Sequence, residues 1–428
     1  MKRRIWNKLL AWKVKERRKP LIISGARQVG KTWLMQEFGR KEFRNVIYLN
    51  CDDESRAKAM FEPDFDIDRI LLQLQAITHT KAVAGETLII LDEIQEVPRG
   101  LASLKYFCEK APEYHVMVAG SLLGIALHEG TSFPVGKVDM VHLYPMDFME
   151  FLSANGFDDW AEAIKQKRWD VLDAIHDKLT ECLRQYYFVG GMPEVVGEYV
   201  HNHDLEPVRY LQGVILDAYR NDVSKHAPSA HIPRINMVLR SIPSQLAKEN
   251  KKFVYGTLRK GARASEFELA IQWLMDCGLV YKVSRISEVR LPLSFYEDMA
   301  AFKLFFVDCG LLGAIANTPA DQMLIGNNIF KEFKGAFTEQ YVMQQLVASG
   351  ITDSVYYWTS GATAEVDFVV QQGNRAIPIE VKAENNVKAK SMKLLVGSTE
   401  GLRGIRFSML PYRNQGWIEN IPLYAVGV

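Results

Sequence analysis

Gly25-Ala26-Arg27-Gln28-Val29-Gly30-Lys31-Thr32 follows the apolar run Pro20-Leu21-Ile22-Ile23-Ser24 and leads into the helix-compatible Trp33-Leu34-Met35. A glycine-bracketed turn between a strand and a helix lets successive backbone N–H groups point inward at a dense negative charge, and the helix N-terminus adds its own partial positive charge. This context predicts a phosphate-binding P-loop rather than a glycine turn that merely ends a strand. Gly25, Gln28, Val29, Gly30, Lys31, Thr32 and Trp33 are the candidate contacts to a nucleoside triphosphate. Lys31 is expected to reach the β- and γ-phosphates and to act in catalysis, and Thr32 to hold a magnesium ion.

A second stretch extends the same chemistry. Leu88-Ile89-Ile90-Leu91-Asp92-Glu93 reads as a buried strand ending in two carboxylates. Asp92 is placed for the magnesium shell and Glu93 to polarise an attacking water. One acid would suit a binding protein, whereas the adjacent Glu argues for hydrolysis.

Around these motifs the sequence alternates strands and helices to about residue 150. Strands are expected at Leu21–Ser24, Asn45–Leu49, Thr87–Leu91, His115–Ala119 and Val138–Leu143, with helices at Thr32–Phe38, Asp68–Thr78 and Leu101–Ala111. Such alternation means βαβ units and a parallel sheet with the P-loop at its carboxyl edge. The segment ahead of it, up to Lys19, reads as an amphipathic helix with a cationic face, which is more often solvated than bound to nucleic acid.

Composition sets the outer bounds. A chain of 428 residues exceeds what one core usually supports, and the apolar fraction of 48% suits two or three packed domains. A formal net charge of +1 gives no global field toward nucleic acid or membrane, so any basic surface must be local. The five cysteines lie far apart without Cys-x-x-Cys spacing, which fits a reduced, cytoplasmic setting. His201 and His203 have no nearby thiol and read as loop residues rather than zinc ligands. No apolar run reaches membrane-spanning length, so no membrane association is expected.

Taken together, the Gly25–Thr32 loop, the Asp92-Glu93 strand end, the strand ending Ala119-Gly120-Ser121 and Tyr144-Pro145-Met146-Asp147-Phe148-Met149-Glu150-Phe151 resemble the bacterial and archaeal AAA+-type ATPases that carry an uncharacterised carboxy-terminal module. The resemblance covers nearly the whole chain and implies ATP and Mg2+ as cofactors and a homo-oligomer. It places Ser121 where a polar sensor contacts the γ-phosphate or the attacking water, with helix capping as its ordinary alternative. Related sequences carry Gly-Arg just before the fifth strand where this chain has Gly136-Lys137, so the arginine finger is left unassigned. The helical stretch after Phe151 is expected to form a lid over base and ribose. Gly190-Gly191-Met192-Pro193 is similar to a turn near the adenine, or is a plain connection between helices.

From about Leu205 the sequence suggests a small helical module. The helical run Arg263–Gly278 followed by Leu279-Val280-Tyr281-Lys282-Val283 gives the helix-then-strand order of a winged helix. Lys251, Lys252, Arg259, Lys260 and Arg263 gather at the start of its recognition helix, where they would suit phosphate contacts. Winged helices also dock proteins.

The last hundred residues carry a second chemical pattern. Glu365-Val366-Asp367-Phe368, a turn at Gln371–Asn374 and Glu380-Val381-Lys382 read as a hairpin in which Glu365 and Asp367 share a face, as do Glu380 and Lys382. An Asp followed by Glu-x-Lys across two strands is similar to the PD-(D/E)xK nuclease fold. That resemblance implies divalent metal on Asp367, Glu380 and, from the preceding helix, Glu339, with Lys382 helping to activate water. A salt-bridged hairpin would show similar letters, and many such modules bind without cutting.

The expected fold is thus α/β: a P-loop AAA+-like parallel sheet (1–150), a helical lid (151–204), a winged-helix-like module (205–290) and a restriction-endonuclease-like domain (291–428). The expected function is Mg-dependent ATP hydrolysis acting on DNA, branched or forked forms included. The alternative is a nucleotide-controlled switch that acts on a protein partner.

Overall fold

A computed structural model describes residues 1–52, 54–120, 133–248, 251–320, 331–352, 354–360, 364–383 and 388–428. Ser121 lies outside the described residues. The chain divides into two compact units, one of residues 2–144 with 276–278, the other of residues 145–275 and 279–428 with Met1.

In the first unit α1 (Trp6–Lys13) precedes β1 (Leu21–Ser24), α2 (Lys31–Glu42), β2 (Asn45–Asn50), α3 (Glu54–Phe61), α4 (Ile67–Thr78), β3 (Thr87–Asp92), α5 (Pro98–Lys110), β4 (His115–Ala119) and β5 (Asp139–His142). Among the described residues the strands form one sheet in the order β2-β3-β4-β1-β5, every pair parallel. The expected strands therefore form, with ends shifted by a residue or two. β3 and β4 are buried along their whole length, as the apolar runs require for strands covered on both faces. One face packs Ile47, Leu49, Ile89, Leu91, Val116 and Val118 against Phe61, Ile70, Leu74, Leu101 and Phe107 of α3, α4 and α5. α2 buries Leu34, Met35 and Phe38, and Trp6 of α1 meets Phe38 edge-on at 5.2 Å.

The leading helix is shorter than its charge pattern suggests. It ends at Lys13, and the cations around its end are tied to the protein itself. Lys13 pairs with Glu42, Lys15 with Asp139 at 2.9 Å, and Arg18 donates to the Pro112 carbonyl at 2.7 Å. Trp12, buried, donates its indole N–H to the Lys19 carbonyl at 2.8 Å, which fixes the turn into β1.

The second unit opens with helices α6 (Phe148–Ala154), α7 (Asp158–Lys165), α8 (Trp169–Ala174), α9 (His176–Val189), α10 (Pro193–Asn202), α11 (Leu205–His226), α12 (Ile232–Leu246) and α13 (Ala264–Asp276). Then come β6 (Val280–Ile286), β7 (Glu297–Phe306), α14 (Cys309–Ile315), α15 (Lys331–Ser349), β8 (Val355–Thr359), β9 (Glu365–Gln372), β10 (Arg375–Lys382), α16 (Lys390–Ser398), β11 (Gly404–Ser408), β12 (Arg413–Asn414) and β13 (Ile418–Pro422). Among the described residues these strands make one sheet in the order β12-β13-β11-β10-β9-β8-β6-β7. β8, β9 and β10 form an antiparallel meander, and β11 lies parallel to β10.

Two features differ from a string of separate modules. The hairpin of β6 and β7 runs across residue 290, and β6 pairs in parallel with β8, so the expected wing belongs to the carboxy-terminal sheet. The expected lid helices share a buried polar network with the same unit. The Phe148 N–H donates to Gln345 Oε1 at 2.8 Å, and Gln344 donates to both Tyr186 Oη and Asp308 Oδ2 at 3.0 Å.

Gly190-Gly191 lies at the centre of that network. Gly190 has φ +75°, and a Cβ there would stand 2.2 Å from Asp308 Oδ1. The Gly191 N–H donates to Asp308 Oδ2 at 2.6 Å, and the Gly191 carbonyl accepts from the Met146 N–H at 2.6 Å. The glycines thus let a fully buried carboxylate and a second backbone approach the turn. Gly190→Ala is expected to cost about 3 kcal/mol through left-handed strain and overpacking together. Urea unfolding of the full chain measures it.

Candidate functional site

The P-loop is shaped by its backbone. Gly25 has φ +145° and lies so close to β5 that a Cβ would stand 2.2 Å from the Leu143 carbonyl oxygen; Gly30, at φ +90°, is the left-handed residue that opens α2. The Val29 side chain is fully buried, which leaves its backbone as the part that faces the loop, and Trp33 is 44% exposed. Arg3, which the sequence reading passed over, holds the loop from behind. Its buried guanidinium donates to the Val29 carbonyl at 2.9 Å and the Tyr144 carbonyl at 2.6 Å.

Lys31 is buried and folds back on the loop, donating to the carbonyls of Gly25 at 3.0 Å and Ala26 at 2.9 Å. Burial pushes its pKa down to about 8, against the opposing pull of Glu93 and Asp92. The Thr32 hydroxyl donates to Asp92 Oδ2 at 2.6 Å, and the Tyr48 hydroxyl donates to the same oxygen at 3.2 Å. Burial raises the Asp92 pKa, the Glu93 charge raises it further, and the bonds from Thr32, Tyr48 and the Glu93 N–H hold it back. A hydroxyl beside a buried carboxylate is an all-oxygen donor set of the kind magnesium takes. Tyr48 ends up at the acid because β2 runs beside β3, a pairing that local sequence does not announce.

Glu93 stands just past the end of β3 in a left-handed backbone, φ +50°, and its Oε2 accepts from Gln95 at 2.6 Å. A non-glycine residue in that region costs about 1–3 kcal/mol, and such strain gathers where a side chain must be aimed. Lys137 lies on the surface in a 2.8 Å ion pair with Glu109.

The second constellation lies in the other unit. Asp367 of β9, Glu380 and Lys382 of β10, and Glu339 of α15 come together, as the hairpin pattern expects. Burial drives the Asp367 pKa well up, reinforced by the charges of Glu339 and Glu380, and burial likewise raises that of Glu380. Asp367 Oδ2 accepts from the Val381 N–H at 2.7 Å, and Lys382 Nζ stands 2.5 Å from Glu380 Oε1. Among the described residues, Glu339 Oε2 and Glu380 Oε2 are buried without a hydrogen-bond partner.

Two further lysines enter this cluster. Lys303 of β7, fully buried, stands 2.5 Å from Glu365 Oε1 and 4.0 Å from Glu339 Oε2, and Lys251 bonds Glu339 Oε1. Burial works to lower the Lys303 pKa, yet Glu339, Glu365 and Asp367 outweigh it and the net direction is up. Lys251, expected to face phosphate, therefore faces a carboxylate. Arg259 of the same basic group pairs with Glu266. A lone lysine inside the apolar run Ala300–Phe306 was the available signal for Lys303, because a buried charge needs a partner. Among the described residues no group of three or more His, Cys, Asp or Glu side chains converges to hold a metal ion. The divalent set expected on Glu339, Asp367 and Glu380 is, in this arrangement, occupied by ammonium groups.

Comparison with known proteins places the first site in a class. The family model described as an AAA domain matches residues 17–152. Together with the loop and the strand-end acids, this match marks residues 17–152 as an AAA-type P-loop domain and supports ATPase activity for the chain. Two domains of unknown function match further along the chain, DUF8612 over residues 180–322 and DUF4143 over residues 334–423. None of the curated proteins compared with the chain matches it. Among solved structures, a Walker-type ATPase of Pyrococcus abyssi is similar over 74% of this chain and 95% of its own, at 16% identity and a TM-score of 0.46. The Aeropyrum pernix ORC2 protein, in ADPNP and ADP complexes, is similar over 78% of this chain and 91% of its own, at 13% identity and a TM-score of 0.34. The Aeropyrum pernix ORC1 protein in complex with DNA is similar over 75% and 92%, at 13% identity and a TM-score of 0.28. Among the described residues no helix is long and apolar enough to cross a membrane.

Proposed function

We propose that this ATPase acts on nucleic acid: ATP turnover in the amino-terminal unit drives DNA binding or remodelling, and the carboxy-terminal unit handles the phosphodiester backbone through a PD-(D/E)xK-like site. The observation that carries the reading is the junction of Asp367, Glu380 and Lys382 with Glu339 on a helix, three antiparallel strands and a following parallel strand. The helix-then-hairpin order of α13, β6 and β7 supports a winged-helix-like element beside it.

In the ATP site the loop N–H groups and Lys31 grip the phosphates, Thr32 and Asp92 hold magnesium, Tyr48 orients Asp92, and Glu93 aligns the attacking water. Magnesium, when bound, offsets charge developing on the phosphate oxygens. Ser121 keeps its assignment as a sensor, and self-association into a homo-oligomer is part of the reading. Mass measurement with a non-hydrolysable ATP analogue tests that association. The discriminating experiment for DNA is ATP turnover with and without single-stranded, duplex and four-way DNA. Stimulation of severalfold or more is expected, and no stimulation together with no salt-sensitive binding would overturn the reading.

The Lys31 ionisation gives a further test. Because the free ammonium titrates near pH 8 and bound phosphates favour its charged form, ATP binding takes up a proton above that pH. Affinity is expected to fall by up to about tenfold per pH unit from about pH 8 to 10. Calorimetry near pH 9 in two buffers of different ionisation enthalpy reads an uptake close to one proton.

One observation favours a second reading, a nucleotide-controlled switch on a protein partner. The connection between β6 and β7 and the start of β7 expose Leu291, Phe295 and Met299, the last two 83% and 72% accessible. An apolar tip suits protein contact better than a phosphate backbone does.

A further inference from the structure

On β10, Ile377 and Ile379 point to the face of the sheet opposite Glu380 and Lys382, as the two-residue period of a strand requires. Register puts Val370 of β9, Ile405 and Phe407 of β11 and Ile421 of β13 on that same face. The face is incompletely covered. Between it and Trp169, Leu346 and Ile351 lies a cavity of about 330 Å3, within the range of small-molecule sites. Trp169, Ile351, Ile377 and Ile405 are only half-buried. The elements above the sheet are pinned at a fixed height. Trp169 of α8 stacks on Tyr412 with ring centroids 4.5 Å apart, and His176 of α9 donates to the Met409 carbonyl at 2.9 Å. These anchors keep the apolar walls apart, so their remaining burial falls to an occupant.

One cation lines the cavity. Lys167, between α7 and α8, is exposed, and among the described residues its ammonium has no ion pair or hydrogen bond. It closes α7 in a left-handed backbone, φ +53°, with its N–H on the Ile164 carbonyl and the Arg168 N–H on the Ala163 carbonyl, both at 3.0 Å. Glycine fills that position most easily, so a lysine stands there at a conformational cost. Gln372 and Glu419 also line the cavity, and Glu419 accepts from the Tyr412 hydroxyl. A polar groove of about 600 Å3 adjoins it, sharing Ile377, Ile405 and Glu419, and carries the exposed Arg375, Arg403 and Glu400. Among the described residues neither arginine makes an ion pair. Three cations thus stand against two carboxylates, and the charge left for a ligand to meet is positive.

We propose that this cavity binds a small amphipathic anion, its apolar chain or ring lying over Val370, Ile379, Phe407 and Ile421 and its carboxylate or phosphate head meeting Lys167. The volume equals that of about ten waters at ~30 Å3 each and is smaller than one turn of an α-helix with its side chains. That size selects a medium-length chain or a ring system over a docked protein element. An uncharged apolar solute would leave the ammonium unused, and a bare phosphate would leave the apolar walls wet. The inference is independent of the reading of the acids on the other face of β10.

Isothermal titration calorimetry of the full chain with decanoate and decyl phosphate tests this and separates the two head groups; decanol supplies the tail without charge and acetate the head without a tail. Saturable one-to-one binding of at least one of the two anions is expected, with decanol about tenfold weaker, the worth of one charge-assisted hydrogen bond, and acetate without measurable binding. Lys167→Gly removes the cation and relaxes the left-handed backbone. It is expected to unfold in urea no earlier than the wild type, to bind the anion about tenfold more weakly and to bind decanol equally well. Ile405→Trp, at a half-buried wall position, fills the cavity and is expected to abolish binding of both. Absence of saturable binding of either anion by the wild type would overturn the proposal. Equal anion affinity in the wild type and Lys167→Gly would overturn the contact to the head group, and binding that survives Ile405→Trp in a folded protein would overturn the site.

Discussion

Lys31→Ala is expected to abolish ATP binding while raising the thermal stability of the free protein. The two halves of this expectation come from one fact, the burial of an ammonium group. In the free protein Lys31 donates to two loop carbonyls, yet loss of hydration depresses its pKa to about 8. Below that pH the folded state carries a charge it holds less well than the unfolded chain does, so Lys31 costs stability at neutral pH. Bound phosphates reverse the balance, because charge-assisted hydrogen bonds to two phosphate groups are worth about 1.5–3 kcal/mol each. Their loss weakens ATP by roughly a hundredfold to more than a thousandfold. Fluorescent-nucleotide titration and a melting curve on the same sample read both effects. An intact affinity in a folded variant would remove Lys31 from the site. Lys31→Met separates charge from volume, since it keeps the chain length and should bind ATP no better.

How far the sequence discloses these sites follows from the range of the interactions. The strands of the first unit are legible because buried parallel strands leave continuous apolar runs, and the P-loop because its function lies in consecutive backbone atoms. Lys31, Thr32, Asp92 and Glu93 are accordingly visible in the sequence as candidates. Tyr48 and Arg3 are not, because Tyr48 reaches Asp92 through the β2–β3 pairing and Arg3 reaches Val29 across 26 residues. Lys251 shows the harder case. A basic residue ahead of a helix has the same letters whether it awaits phosphate or neutralises a buried glutamate 88 positions away. The stretch 151–204 reads as helical and is helical, but helical periodicity does not say which core a helix joins. The buried bonds among Phe148, Tyr186, Asp308, Gln344 and Gln345 decide that, and each partner of the glutamines is distant in sequence. Conversely, the Asp367, Glu380 and Lys382 pattern is legible through the two-residue period of a hairpin, while the lysines that join it, Lys303 of β7 and Lys251, come from elements distant in sequence.

Glu93→Gln is expected to leave ATP affinity within about threefold of the wild type and to slow hydrolysis by roughly a hundredfold to ten-thousandfold, the range for a lost general base. The substitution is nearly isosteric, and glutamine accepts the left-handed backbone at φ +50° no worse than glutamate does. The amide oxygen can still receive the Gln95 side-chain N–H that reaches Glu93 Oε2 at 2.6 Å. What disappears is the charge that would polarise a water, together with part of the field that raises the Asp92 pKa. Asp92 thereby becomes a somewhat better anion, so magnesium and nucleotide retention should be preserved or improved, and the variant should accumulate with ATP uncleaved. Single-turnover hydrolysis with rapid quenching measures the chemical step apart from product release. A wild-type rate in that assay would remove Glu93 from the role of base. Loss of binding and rate in equal measure would mean instead that the charge of Glu93 serves to hold the magnesium–nucleotide pair, a role proposed above for Asp92 and Thr32.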